Sequence, residues 1–82
     1  MKISQKLLDF ISDGYIDKNK EWHDLELKFI NDREGSGEVS YGIIIDAYNH
    51  VGSKAGTSNV LAQSWSDVGF ADALSKLNWK RF

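Results

Sequence analysis

The chain contains no cysteine, no proline and a single methionine among its 82 residues, and it has no long hydrophobic run. Without cysteine there is no disulfide framework, no thiolate zinc site and no thiol nucleophile. A reducing compartment, the cytoplasm, is therefore the expected location. No segment approaches the roughly 20 apolar residues a membrane-spanning helix needs. The opening Met1-Lys2-Ile3-Ser4-Gln5-Lys6 leads into an amphipathic helix and not the apolar core of a signal peptide. An excess of basic charge is missing too: the formal net charge is −2, which argues against a surface devoted to nucleic acid.

What remains is a composition suited to one small globular domain over residues 1–82, with 41% hydrophobic and 27% charged residues. Charge is unevenly placed. Residues 1–46 carry a balance of −4 and residues 47–82 a balance of +2, so the first half is the acidic one.

The most β-prone and apolar run is Glu38 to Tyr48. At period two, Val39, Tyr41, Ile43, Ile45 and Ala47 share one face, and Ser40, Gly42, Ile44 and Asp46 share the other. This run fills the centre of a sheet. Gly42 marks either a bulge or a close approach by a backbone or a bulky cross-strand aromatic.

Ahead of it, Ser4 caps a helix over about Gln5 to Asp13, stapled by Ile3 and Leu8, with Leu7, Leu8 and Ile11 as its buried stripe and Gly14 ending it. Asp17 to Glu21 reads as a surface loop. From Trp22 onward, His23, Leu25, Leu27 and Phe29 alternate with Asp24, Glu26, Lys28 and Ile30, the pattern of a strand covered on one side. The Gly-rich turn Asn31 to Gly37 joins it to the central strand as an antiparallel hairpin.

Beyond the polar stretch Asn49 to Asn59, Val60 to Trp65 is read as a third strand. A helix capped at Ser66 and stapled by Trp65 and Phe70 follows, burying Phe70, Ala71, Leu74 and Leu77. The predicted fold is α+β: α-β-β-β-α, a three-stranded antiparallel sheet with two helices on one face. The competing reading is α-β-β-α, with one long C-terminal helix interrupted by Gly69.

Reaction signatures are scarce. His50, following the central strand with Asp46 four residues back, is the best general-base candidate. His23 lies on the inward phase of its strand, where a hydrogen-bonded structural histidine is the commoner outcome. The acids show no clustered metal-ligand spacing, and the turn from Asp32 to Glu38 lacks the ligand order of a calcium loop. Gly52 to Ser58 has the residue types of a phosphate loop without its Gly-Lys pair. No catalytic residue, metal or cofactor is assigned.

The segment Trp79-Lys80-Arg81-Phe82 alternates aromatic and basic side chains, suited to stacking on bases or docking on an acidic surface, or else to packing back on the sheet. Three tryptophans exceed what so small a core needs, so at least one of Trp22, Trp65 and Trp79 is expected on a contact surface.

In element order the chain resembles double-stranded-RNA-binding domains, and Gly52 to Ala62 is similar to the stretch that opens their last helix; Asn59 and Val60 stand where that family carries phosphate-binding lysines. The first 30 residues resemble the small HicA-type messenger-RNA-cleaving toxins, with a short helix ending in Asp-Gly-Tyr and then a strand bearing a histidine, His23.

Three functional expectations follow. The first is a non-enzymatic protein-binding module, of the kind bacteria and phages use as inhibitors or accessory proteins. It would dock through an acidic hairpin face, with Trp22, Asp24, Glu26, Glu34 and Glu38, and with Trp79, Lys80 and Arg81, as partner-binding residues. The second is an RNA-binding or RNA-cleaving domain using His23 or His50 with the Trp79 to Arg81 tail. A homodimer formed by edge pairing of strands is the third.

Overall fold

A computed structural model describes residues 1–33, 39–49 and 58–82. Glu34, Glu38, His50 and most of the Gly52 to Ser58 stretch lie outside the described residues, as does the tip of the hairpin. The elements are α1 (Gln5–Asp13), β1 (Tyr15–Ile16), β2 (Trp22–Arg33), β3 (Val39–Asn49), β4 (Ser58–Ser66) and α2 (Phe70–Lys76).

The sheet has the order β1-β2-β3-β4 and is antiparallel throughout. The α+β class with two helices therefore stands, but the sheet has four strands, not the three expected. The extra strand is β1, whose two residues pair as Tyr15 with His23 and Ile16 with Trp22. Two residues are too few to show a period. What creates the strand is Gly14: its φ of 83° ends α1 and turns the chain directly onto the start of β2. Ser4 caps α1 as expected, its hydroxyl oxygen accepting from the Leu7 N–H at 3.2 Å.

The strand at residues 58–66 excludes the long C-terminal helix. Ser66 does not cap α2 either; Gly69 occupies that position. Ser66 closes β4, accepts from the Val68 N–H at 3.0 Å and donates to Asp72 at 2.6 Å, which holds the start of α2 against the sheet. With α2 starting at Phe70, the inward positions shift: Ala73 is fully buried, whereas Ala71 is exposed.

Leu7 of α1, Ile43 and Ile45 of β3, Ala62 of β4, and Ala73 and Leu77 of the α2 region form one buried cluster. Both helices thus cover the same sheet face. Leu8, expected in the α1 stripe, is 43% exposed, and Leu7 alone of that helix is fully enclosed. Phe70 meets Phe29 and Tyr41 edge to face at 5.6 and 5.1 Å, geometry favoured by the ring quadrupoles. Small inward residues on β4 let α2 come close: the Ser64 hydroxyl, buried, donates to the Ala73 carbonyl.

The C-terminal segment crosses this covered side. Trp79 stacks on Phe10 at 5.5 Å, Phe82 packs on Tyr15 of β1, and Arg81 reaches the Leu61 carbonyl of β4 at 3.4 Å. It therefore touches both edge strands. Among the described residues no helix is long and apolar enough to cross a membrane.

Candidate functional site

The other sheet face carries neither helix, and the strand alternation decides what it presents. From β2 come Trp22, Asp24, Glu26, Lys28, Ile30 and Asp32; from β3 come Ser40, Gly42, Ile44, Asp46 and Tyr48; from β4 come Val60, Gln63 and Trp65. A register shift between Ile45 and Asp46 interrupts the β3–β4 ladder, opposite Leu61. That bulge lets Leu61 pack against the core cluster while Val60, 53% exposed, stays on the open face.

Two tryptophans mark the ends of this face, each lying over a glycine. Trp65 sits directly across from Gly42, where an added Cβ would come within 2.5 Å of the indole ring. The glycine expected to admit a bulky aromatic does so. At the far end Trp22 covers Gly14 and donates from Nε1 to the Asp13 carbonyl at 3.2 Å. Both indoles remain about two-fifths exposed, at 40% and 43%.

Between them lies a polar network. Lys28 pairs with Asp46 at 2.7 Å, and the Tyr48 hydroxyl donates to Glu26. The Asp46 carboxylate holds the Lys28 ammonium above its ordinary pKa, and the Glu26 carboxylate pushes the Tyr48 phenol up. Asp46 is buried although it lies on the uncovered face, because Lys28 and its strand neighbours close over it. Among the described residues this face carries four carboxylates, Asp24, Glu26, Asp32 and Asp46, and one ammonium, Lys28.

His23 is placed differently. It points to the covered side at the β1 edge, 8% exposed, beside Tyr15. Its Nδ1–H donates to the Tyr48 carbonyl at 3.1 Å and its Nε2 meets Asp17 Oδ2 at 2.8 Å. Both neighbours are acceptors, so the doubly protonated ring satisfies the site and a neutral ring would leave one nitrogen facing an oxygen without a proton. Accordingly the Asp17 hydrogen bond raises the His23 pKa despite burial. Reciprocally, His23 and then the Glu21 N–H lower that of Asp17.

Asp17, Glu21 and His23 bring three potential ligand atoms within 4.8 Å of one another, a juxtaposition the linear spacing did not reveal. A cation there would have to displace the 2.8 Å His23–Asp17 pair and two backbone N–H donors on Asp17. The arrangement serves to clasp the β1–β2 loop to the end of β3.

Of the partner-binding residues proposed from sequence, Trp22, Asp24 and Glu26 lie together on the open face. Trp79, Lys80 and Arg81 lie on the helical side, with Trp79 against Phe10 and the Arg81 guanidinium 4.7 Å over the Phe82 ring. The six of the eight that are described therefore do not form one patch. The sequence reads Trp65 both as a helix staple and as one of three candidate contact tryptophans, and no period-two argument alone separates an inward from an outward tryptophan; the Gly42 opposite it is the available signal. The sequence pattern puts Asp32 in the turn, but β2 extends to Arg33, so Asp32 joins the open face.

No protein-family model, curated protein or solved structure matches this chain.

Proposed function

We propose that the protein is a binding module whose uncovered sheet face docks on a basic surface of a protein partner, in an inhibitor or accessory role. The observation that carries this reading is the composition of that face among the described residues: three carboxylates, Asp24, Glu26 and Asp32, beside the Lys28–Asp46 pair, bounded by two tryptophans about two-fifths exposed. Tryptophans supply contact area at interface centres, and a surface of one charge sign steers a partner of the opposite sign. The same carboxylates repel phosphate. His23, with both nitrogens engaged by acceptors, is poorly disposed to act as a general base, so a nuclease reading would rest on His50.

Three tagged baits exposed to host lysate test this: the wild type, the neutralised face (Asp24→Asn, Glu26→Gln, Asp32→Asn) and a helical-side control (Lys6→Gln), whose side chain is exposed on α1. The expected result is one stoichiometric protein that survives nuclease treatment, is retained by the control, and binds the neutralised face at least about tenfold more weakly, or ~1.4 kcal/mol. Equal capture by all three baits, or recovery of RNA alone, would overturn the reading.

A further inference from the structure

A second surface feature lies on the helical side, away from the proposed docking face. A cavity of about 380 Å³ opens between the segment before α1, the end of α2 and the C-terminal tail. That volume lies toward the lower end of the roughly 300–1,000 Å³ typical of small-molecule sites. Among the described residues its charged lining is Lys2 and Lys80, with no acidic residue, in a chain whose net charge is −2. Among the described residues neither lysine has an ion-pair partner, whereas Lys28 and Lys76 are each paired with an aspartate.

The remaining lining is of two kinds. Leu74 and Trp79 supply an apolar wall, and Trp79 is fixed by its stacking on Phe10. Ser4 and Asn78 supply polar groups. The Ser4 oxygen accepts from the Leu7 N–H, which leaves its own O–H proton available to an incoming acceptor. Asn78 has no side-chain hydrogen bond within the described residues, so its amide can donate.

We propose that this cavity binds a small phosphomonoester attached to an apolar or aromatic body. Two ammonium groups match the charge of about −1.5 to −2 that a phosphomonoester carries at neutral pH, whereas a carboxylate would neutralise only one. The Ser4 hydroxyl and the Asn78 amide donate to the phosphate oxygens, and the body lies against Leu74 and Trp79. A neutral ligand leaves the lysines unmatched, and inorganic phosphate leaves the apolar wall uncovered. This proposal is independent of the docking face and uses none of its residues.

The test is a titration of the ¹⁵N-labelled full chain with phenyl phosphate, followed by amide shifts, with inorganic phosphate and phenol as separate arms. Expected are saturable shifts at residues 2–4, 74–75 and 78–80, with phenyl phosphate binding at least about tenfold more tightly than either fragment. Lys2→Gln/Lys80→Gln, confirmed as folded by its unchanged spectrum elsewhere, should weaken binding about tenfold or more. Ser4→Ala is unsuitable because it removes the α1 cap. If the double variant unfolds, Lys80→Gln alone decides and should weaken binding severalfold. Absence of saturation by about 10 mM phenyl phosphate, shifts confined to the open face, or unchanged affinity in the folded lysine variant would each overturn the proposal.

Discussion

The two faces of one sheet are put to different uses here, although the same strands supply both. On the covered face Ile43 and Ile45 are fully enclosed, and the polar groups among them, Ser64 and His23, are satisfied by a backbone carbonyl or a clasping carboxylate. On the open face the apolar residues Ile30 and Ile44 are only half-buried, and the carboxylates outnumber the one lysine, which pairs with Asp46. The lesson is that alternation alone specifies which residues share a face. Whether that face becomes core depends on what the helices can reach.

Truncation at the neighbouring residues Ile45 and Ile44 tests this contrast with the largest expected effect. Ile45→Ala removes a side chain with no exposed surface and should cost about 2–5 kcal/mol. Ile44→Ala, on the open face, should cost about 1 kcal/mol or less, in proportion to its smaller burial. Urea unfolding of the two variants measures the difference, and equal losses would show that something covers the open face as fully as the helices cover the other.

The two tryptophan–glycine pairs sharpen the comparison at intermediate size. Gly14→Ala places a side chain at a φ of 83° and drives its Cβ to within 2.8 Å of the His23 carbonyl, a backbone atom that cannot swing aside; a loss of about 1–3 kcal/mol is expected. In Gly42→Ala the three atoms nearest the added Cβ all belong to the Trp65 ring, which can move out into solvent, so about 1 kcal/mol or less should be lost. The Trp65 indole N–H resonance should shift in Gly42→Ala and stay in place in Gly14→Ala.

The smallest effects concern charge. The folded pKa of His23 is raised, so the stability it contributes is fully present below its ordinary value of 6.5 and is lost as pH rises through the folded value. Asp17 is lowered, so its contribution is present above its ordinary 3.8 and is lost as pH falls through the folded value. The clasp is thus strongest between about pH 4 and 6.5. Asp17→Asn should bring the His23 titration down, followed by NMR of the ring proton, and flatten the fall of the unfolding midpoint on either side of that window, above pH 6.5 and below about pH 3.8. An unmoved titration would show that Asp17 does not hold the imidazolium.

Much of this fold was legible because local rules agreed with one another. Ser4 and Gly14 bracket α1 at its observed ends, and period-two alternation gives the inward sets of β2 and β3. The start of α2 was misplaced, because a serine before an acid and an aromatic looks like a cap whether it starts a helix or ends a strand. Only the hydrogen bonds of Ser66 to Val68 and Asp72 distinguish the two. For the candidate face, Trp22, Asp24 and Glu26 were legible as acidic and aromatic. Trp65 and Asp32 were not, since their membership depends on the cross-strand partner of one and the true end of the strand carrying the other.

The sequence by itself determined the α+β class, the capped first helix, the antiparallel hairpin and the absence of thiol chemistry, because each rests on residues within a few positions of one another. Tertiary structure alone decided the fourth strand, the clasping of His23 by Asp17 and the Tyr48 carbonyl, and the separation of the two tryptophans of the open face from the third, Trp79. Those features depend on pairings between residues far apart in the chain, and a side chain's neighbours across a sheet or beneath a helix are set by register and packing, which no local pattern encodes.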